Sequence, residues 1–165
     1  MKQISLLSDT HGVLDKRFIP HLINSDEIWH AGDIGTLNIY DELCKLSKVR
    51  AIYGNIDNHK IRIVLKPELF FKCEEVNIYM THIVGYPGKY SRGISQKIEI
   101  NKPNLLIGGH SHILKVIHDK KNNLLFMNPG AAGNYGIHKV KTIIKFNIDG
   151  KVIKELKIIE IERKN

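Results

Sequence analysis

The chain opens by alternating short apolar runs with segments of helical spacing. Gln3–Ser8 is apolar and ends at Asp9, and Leu14–Asn24 then carries the spacing of a helix. Glu27–Ala31 predicts a short strand, Asn38–Ser47 a helix through Ile39, Leu43 and Leu46, and Val49–Tyr53 a further strand. A βαβαβ order predicts a parallel sheet joined by right-handed crossovers. Beyond it, Glu68–Cys73 and Val76–Thr81 predict a strand pair, Arg92–Asn101 a helix stopped by Pro103, and Asn104–Ile107 a buried strand. From Lys115 onward hairpins dominate. Val116–Asp119 and Leu124–Met127 flank an Asn-Asn turn, and Thr142–Ile148 and Val152–Ile161 flank Asp149-Gly150, a two-residue hairpin signal. These later strands are expected to form a second sheet packed on the first. With no linker, repeat or low-complexity stretch, one domain over residues 1–165 is expected.

Bulk properties narrow the class. A chain of 165 residues is long enough to bury roughly two-thirds of the surface its unfolded form exposes. No apolar run approaches the ~20 residues a membrane-spanning helix needs, and the N-terminus lacks the apolar core of a signal peptide, so no membrane association is expected. Two cysteines, Cys44 and Cys73, make neither a disulfide framework nor a CxxC site, and a reducing, cytoplasmic location is expected. The formal charge of +8 suits an anionic substrate. The lysines are scattered, however, and the densest group, Lys151, Lys154 and Lys157, has the spacing of a solvated face. Nucleic acid is therefore not the expected partner.

The positions of the nine histidines change the picture more than the charge does. Five times a strand-like run ends in metal-competent residues. ISLLS leads into Asp9-Thr10-His11, EIWHAG into Asp33, and VRAIYG into Asn55 and Asp57; VNIYMT leads into His82, and LLIGG into His110-Ser111-His112. Functional groups of α/β sheets collect at the carboxyl ends of strands, so these five ends would converge on one crevice. Turn formation alone accounts for Gly12, Gly32, Gly108 and Gly109 but not for the histidines. Imidazoles mixed with carboxylates and an amide oxygen suit Mn²⁺, Fe²⁺, Zn²⁺ or Co²⁺. His30, one residue before the Gly32-Asp33 turn, reads as a hydrogen-bonded neighbour, and His21, His118 and His138 have no motif around them. Asn128-Pro129-Gly130 through Gly133 reads equally as a phosphate-facing loop or a structural turn.

In that order, Asp9-x-His11, Gly32-Asp33, Gly54-Asn55-x-Asp57, His82 and Gly109-His110-Ser111-His112 resemble the calcineurin-like metallophosphoesterases. The length, the short spacings and Asn128-Pro129-Gly130 resemble the small phosphodiesterase branch of that family, and the resemblance covers roughly Met1 to Ile148. It implies a four-layer αββα sandwich, an α/β fold of two mixed sheets flanked by helices. It also implies two divalent metal ions, Mn²⁺ foremost and Ni²⁺, Zn²⁺, Fe²⁺ or Co²⁺ as alternatives. Asp9, His11 and His112 would hold the first ion, Asp33 would bridge, and Asn55, His82 and His110 would complete the second. Asp33, Asn55, His82 and His110 are the implied catalytic set. The implied reaction is hydrolysis of a small-molecule phosphate ester, a diester first, by in-line attack of a bridging hydroxide. Homo-oligomers are common among the small members.

Two positions depart from the family pattern. Large phosphatases carry a histidine directly after the motif asparagine, where this chain has Ile56. Asp57 cannot replace an imidazole as an acid near neutral pH without a raised pKa, which leaves His59 as a nearby candidate. After His82 the chain has Ile83-Val84 before Gly85, and the turn-rich Gly85–Tyr90 stretch, with Lys89, is expected to roof the site. Two other functions compete with the phosphoesterase: a non-catalytic scaffold of the kind one retromer subunit represents, and a nuclease. Every mapped ligand position is filled, which weighs against the scaffold.

Overall fold

The structure is a computed structural model describing residues 1–163. Strand β1 (Lys2–Leu7) runs into a 3₁₀ turn (Lys16–Phe18) and a one-turn helix α1 (Ile19–Leu22). Strand β2 (Glu27–His30), helix α2 (Leu37–Leu46), strand β3 (Lys48–Ala51) and helix α3 (His59–Val64) follow. Then come β4 (Glu68–Cys73), β5 (Val76–Thr81), the small hairpin β6 (Gly85–Tyr86) and β7 (Lys89–Tyr90), and helix α4 (Ile94–Asn101). Strands β8 (Leu105–Ile107), β9 (Leu114–Asp119), β10 (Leu124–Pro129), β11 (Val140–Asp149) and β12 (Val152–Glu162) complete the chain.

Two five-stranded mixed sheets carry the architecture, in the orders β12-β11-β1-β2-β3 and β4-β5-β8-β10-β9. β1, β2 and β3 are parallel neighbours, as the βαβαβ pattern predicts, and β5, β8 and β10 are parallel in the second sheet. The alternation along each strand assigns the layers. Ile4, Leu6, Trp29, Ile144 and Phe146 of the first sheet meet Ile78, Met80, Leu105, Ile107 and Met127 of the second in one buried cluster. On the outer face of the first sheet, Leu7, Ile28 and Ile143 are covered by Phe18, Leu22, Ile39, Leu43 and Ile61. On the outer face of the second, Tyr79, Leu106 and Phe126 are covered by Ile94 and Ile98 of α4. The result is the four-layer αββα order. At its centre Trp29 is fully buried, edge-on to Phe71 and Phe146, and truncating such a residue to alanine costs about 3–5 kcal/mol.

Two expectations are corrected, and one helix is added. The helix expected over Leu14–Asn24 is broken into the 3₁₀ turn and α1: the Asp15 side chain caps Arg17, and Pro20, which has no N–H to donate, sits at the start of α1. The hairpin β11–β12 joins the first sheet, with β11 antiparallel to β1, and does not extend the second. Helix α3, not anticipated, is capped by the Asn58 side chain, which accepts from the Ile61 N–H at 3.3 Å. Near its other end, α4 stops as expected: Lys102 turns left-handed and its N–H donates to the Ile98 carbonyl directly before Pro103.

Candidate metal centre

The five strand ends do converge. Backbone bonds lace their loops together: Asp9 N–H donates to Gly32 O, His11 N–H to Asp33 O, Gly109 N–H to His82 O, and Gly133 N–H to Asp9 O. Asp9, His11, Asp33, His110 and His112 all have positive φ, between 47° and 67°. Non-glycine residues in that region cost about 1–2 kcal/mol each. They account for five of the nine such residues in the described chain, so the strain is concentrated where the candidate ligands turn inward. Gly54 has to be glycine for a related reason, because a Cβ there would collide with Oδ1 and the backbone N of Asp33.

Two groups of side chains result. The ligand atoms of Asp9, His11 and His112 lie within 4.8 Å of one another, and so do those of Asp33, His82 and His110. Oδ1 of Asp9 stands 3.1 Å from Nε2 of His112, 3.7 Å from that of His11 and 3.8 Å from that of His82. Oδ2 of Asp33 lies between the groups, 3.6 Å from Nε2 of His11 and 3.2 Å from Nε2 of His82. Asn55 stands at the open rim, with its side-chain oxygen 2.9 Å from Nδ1 of His110. All seven residues singled out in the sequence are thus brought to one crevice.

Both carboxylates are built alike, with one oxygen anchored and the other aimed inward. Oδ2 of Asp9 accepts from the Ser8 hydroxyl at 2.6 Å and the His110 N–H at 3.1 Å, and Oδ1 of Asp33 accepts from the Ile56 N–H at 3.0 Å. The imidazole of His82 is held in the same manner. Its Nδ1–H donates to the Ala31 carbonyl at 2.7 Å, which leaves Nε2 as a lone pair facing the crevice. Oδ1 of Asp9, Nε2 of His11 and Nε2 of His82 are buried and have no hydrogen-bond partner. Buried polar atoms are seldom left so, and three unpartnered atoms of metal-ligand type around one space fit a cation.

The electrostatics agree. Burial opposes ionisation of Asp9, yet His11, His112, His82 and Ser8 together hold its carboxyl below the usual range. Asp33 is likewise lowered, against burial, by His82 and the Ile56 N–H. Asp9, opposed by burial, raises His11; burial works to lower His82, and Asp33 and Asp9 raise it instead. Acidic groups and imidazoles thus pull each other toward the charged forms.

Other residues take supporting places. Asp57 is buried and accepts from the N–H groups of Ile34, Gly35 and Gly54 at 3.1, 2.7 and 2.8 Å. It fixes the loops of Asp33 and Asn55 and is not turned into the crevice. Arg62, which the sequence did not single out, donates to the carbonyls of Asp57, Gly54 and Asn55, holding the Asn55 turn. His30 is fully buried: Nδ1 accepts from the Gly32 N–H, and Nε2 lies 3.0 Å from the Thr10 hydroxyl, which donates to Ile34 O. Burial pushes its pKa down to about 4, so it is a neutral positioning group. Ile56 and His59 are exposed, and no described hydrogen bond links His59 to the ligands. Asn128 donates to the Gly109 carbonyl and accepts from Gly130 N–H, so the Asn128–Gly133 segment is a brace for the His110 loop. Tyr135 lies edge-on to His11, 5.5 Å between ring centres.

Comparison with known proteins agrees with this geometry. Residues 1–151 match the family of the calcineurin-like phosphoesterase superfamily domain. A probable metallophosphoesterase of Methanocaldococcus jannaschii is 31% identical over 170 residues, covering 96% of this chain and 81% of that protein. Among solved structures, Vps29 of Entamoeba histolytica complexed with Zn²⁺ superposes with a TM-score of 0.77 at 17% identity, over 98% of this chain and 99% of the other. A structure described as a novel archaeal phosphodiesterase gives 0.68 at 20% identity, over 96% and 99%. The fold and site define a metallophosphoesterase, and the chain belongs to the calcineurin-like phosphoesterase superfamily. Among the described residues no helix is long and apolar enough to cross a membrane.

Proposed function

We propose that the chain is a cytoplasmic phosphodiesterase in which Asp9, His11 and His112 hold one divalent ion and Asn55, His82 and His110 a second, with Asp33 between them. Mn²⁺ is the first candidate, and Ni²⁺, Zn²⁺, Fe²⁺ and Co²⁺ are alternatives suited to the same donors. The observation that carries the reading is the set of orphaned atoms, Oδ1 of Asp9 and Nε2 of His11 and His82, aimed into one space. Two ions bound there would neutralise phosphate oxygens and make a water nucleophilic near neutral pH.

The chain's own residues do the rest. Ser8, Ile56 and Ala31 hold Asp9, Asp33 and His82 in their inward orientations, so the polar groups need no reorganisation as charge develops. Asn55 and His110 are exposed at the rim of the crevice, where a phosphate would approach. No imidazole follows Asn55, and the exposed Ile56 cannot protonate a departing oxygen. Esters with good leaving groups are therefore favoured. A diester is supported by the surroundings, because two clefts flank the second ligand group. One, about 290 Å³, is lined by Tyr53, Asn55, Arg62 and His82; the other, about 400 Å³, reaches His110. Two clefts offer room for two organic arms.

Likeness to Vps29 structures favours a second reading, a protein-interaction scaffold of the same fold. Metal-stripped protein reloaded with Mn²⁺, Ni²⁺, Zn²⁺, Fe²⁺ or Co²⁺ in turn and assayed on bis-p-nitrophenyl phosphate and p-nitrophenyl phosphate separates the two. Metal-dependent turnover with the diester preferred, lost in Asp33→Asn and Asn55→Ala, supports the enzyme. No turnover with any of the five ions supports the scaffold.

A further inference from the structure

The cleft that reaches His110 is built differently from the metal centre beside it. Ile83, Val84, Tyr86, Ile113 and Phe126 form most of its wall, in a space of about 400 Å³. Ile83, Tyr86 and Ile113 are 42%, 45% and 38% exposed, so apolar surface faces solvent directly beside a charged crevice. The hairpin β6–β7 carries Tyr86 over this cleft, and the Lys115 ammonium lies 4.7 Å from the centre of its ring. The residue expected to reach the site from this hairpin, Lys89, does not line the cleft. The polar side chains in its lining are Ser91, His110, Ser111, Lys115 and Asn128. Asn128 donates to the Ser111 hydroxyl oxygen, and the Ile113 N–H donates to the same oxygen, leaving the Ser111 proton free.

Pockets for small molecules have this character, apolar walls with a few polar groups that fix orientation. A flat ring fits it better than a flexible chain, because the exposed Tyr86 offers aromatic surface beside Ile83 and Ile113 and the Ser111 hydroxyl offers one donor to a ring acceptor. His110 and Gly109 line the cleft, so a group seated in it is bonded to a phosphorus near the second ligand group without a long spacer.

We infer that the Ile83–Tyr86–Ile113–Phe126 cleft is the specificity pocket of the site and takes an aromatic or heteroaromatic arm of the phosphate ester. The inference rests on the phosphoesterase reading for the position of the phosphorus, but binding can be measured without turnover. Mn²⁺-loaded protein would be titrated calorimetrically with phenylphosphonate and with methylphosphonate, which share the phosphonate head and differ in the ring. Wild type is expected to bind phenylphosphonate about tenfold tighter or more. Tyr86→Ala and Ile113→Ser should bring the ratio to within about twofold, and Tyr86→Phe, which keeps the ring, should restore it. A wild-type ratio near one, or a ratio unchanged in both Tyr86→Ala and Ile113→Ser, overturns the pocket even where the enzyme hydrolyses diesters. A retained ring preference without hydrolysis of any ester supports the pocket and removes the enzymatic reading instead.

Discussion

The Nδ1–H of His82 donates to the carbonyl of Ala31 at 2.7 Å, and this bond fixes which nitrogen faces the metal crevice. Nε2 is left 3.2 Å from Oδ2 of Asp33 with no proton to offer it while the ring is neutral. The pair is therefore coherent only with a proton or a cation between the two atoms. His82→Ala is expected to remove one of two bound ions, read as metal content per chain after dialysis, while the Asp9, His11 and His112 group keeps the other.

Because the orphaned atoms belong to the folded chain and come from distant strand ends, metal should stabilise the fold. At a free ion concentration of a hundred times Kd, binding contributes about 2.7 kcal/mol. For a domain of this size that is roughly a 5–10 °C rise in Tm. Thermal melts in EDTA and in excess Mn²⁺ would measure it, and Asp9→Asn should shrink the difference.

Asp57 predicts a stability loss that precedes any loss of chemistry. Asp57→Ala leaves the N–H groups of Ile34, Gly35 and Gly54 without their carboxylate, at a cost of about 3 kcal/mol or more. A fall in Tm of roughly 6–12 °C is expected in metal-free protein. Arg62→Ala acts more locally, freeing the Asn55 turn, and should lower kcat by about tenfold with metal retained at the Asp9 group. Arg62→Lys should not rescue it, since one ammonium cannot span three carbonyls.

Glu27 gives a pH dependence away from the metal centre. It is buried and bonded to Arg50, Lys48 and Trp29. Burial alone would raise its pKa, but these partners bring it from 4.5 down to about 2. A depressed carboxylate pKa means that the unfolded state binds the proton more tightly, so the contribution is present above pH 4.5 and is lost as pH falls toward about 2. Denaturant melts of wild type and Glu27→Gln should differ most above that window and converge within it.

Much of this was legible because β-strand ends and ligand types are written locally. Asp9, Asp33, His82 and His110 each follow an apolar run, and parallel strands bring their carboxyl ends together. Helix α3 was not legible because its apolar residues show no face: Ile61 is buried, but Ile63 and Val64 are 69% and 52% exposed. The sheet that β11–β12 would join was not legible either, since a hairpin signal fixes the turn and not the neighbour. Burial of both faces of β11, Ile144 and Phe146 on one and Ile143 on the other, places it inside a sheet. Asp57 read as metal-competent by type, and only the three backbone N–H groups around it show that its oxygens are already engaged. Arg62 had no motif to announce it.

Calorimetric titration of EDTA-stripped wild-type protein with Mn²⁺, with bis-p-nitrophenyl phosphate turnover followed in the same samples, tests the dinuclear site most directly. Two ions per chain are expected, with activity rising as the second binds. Saturation at a single ion with full activity, or two ions bound with no turnover, would contradict it.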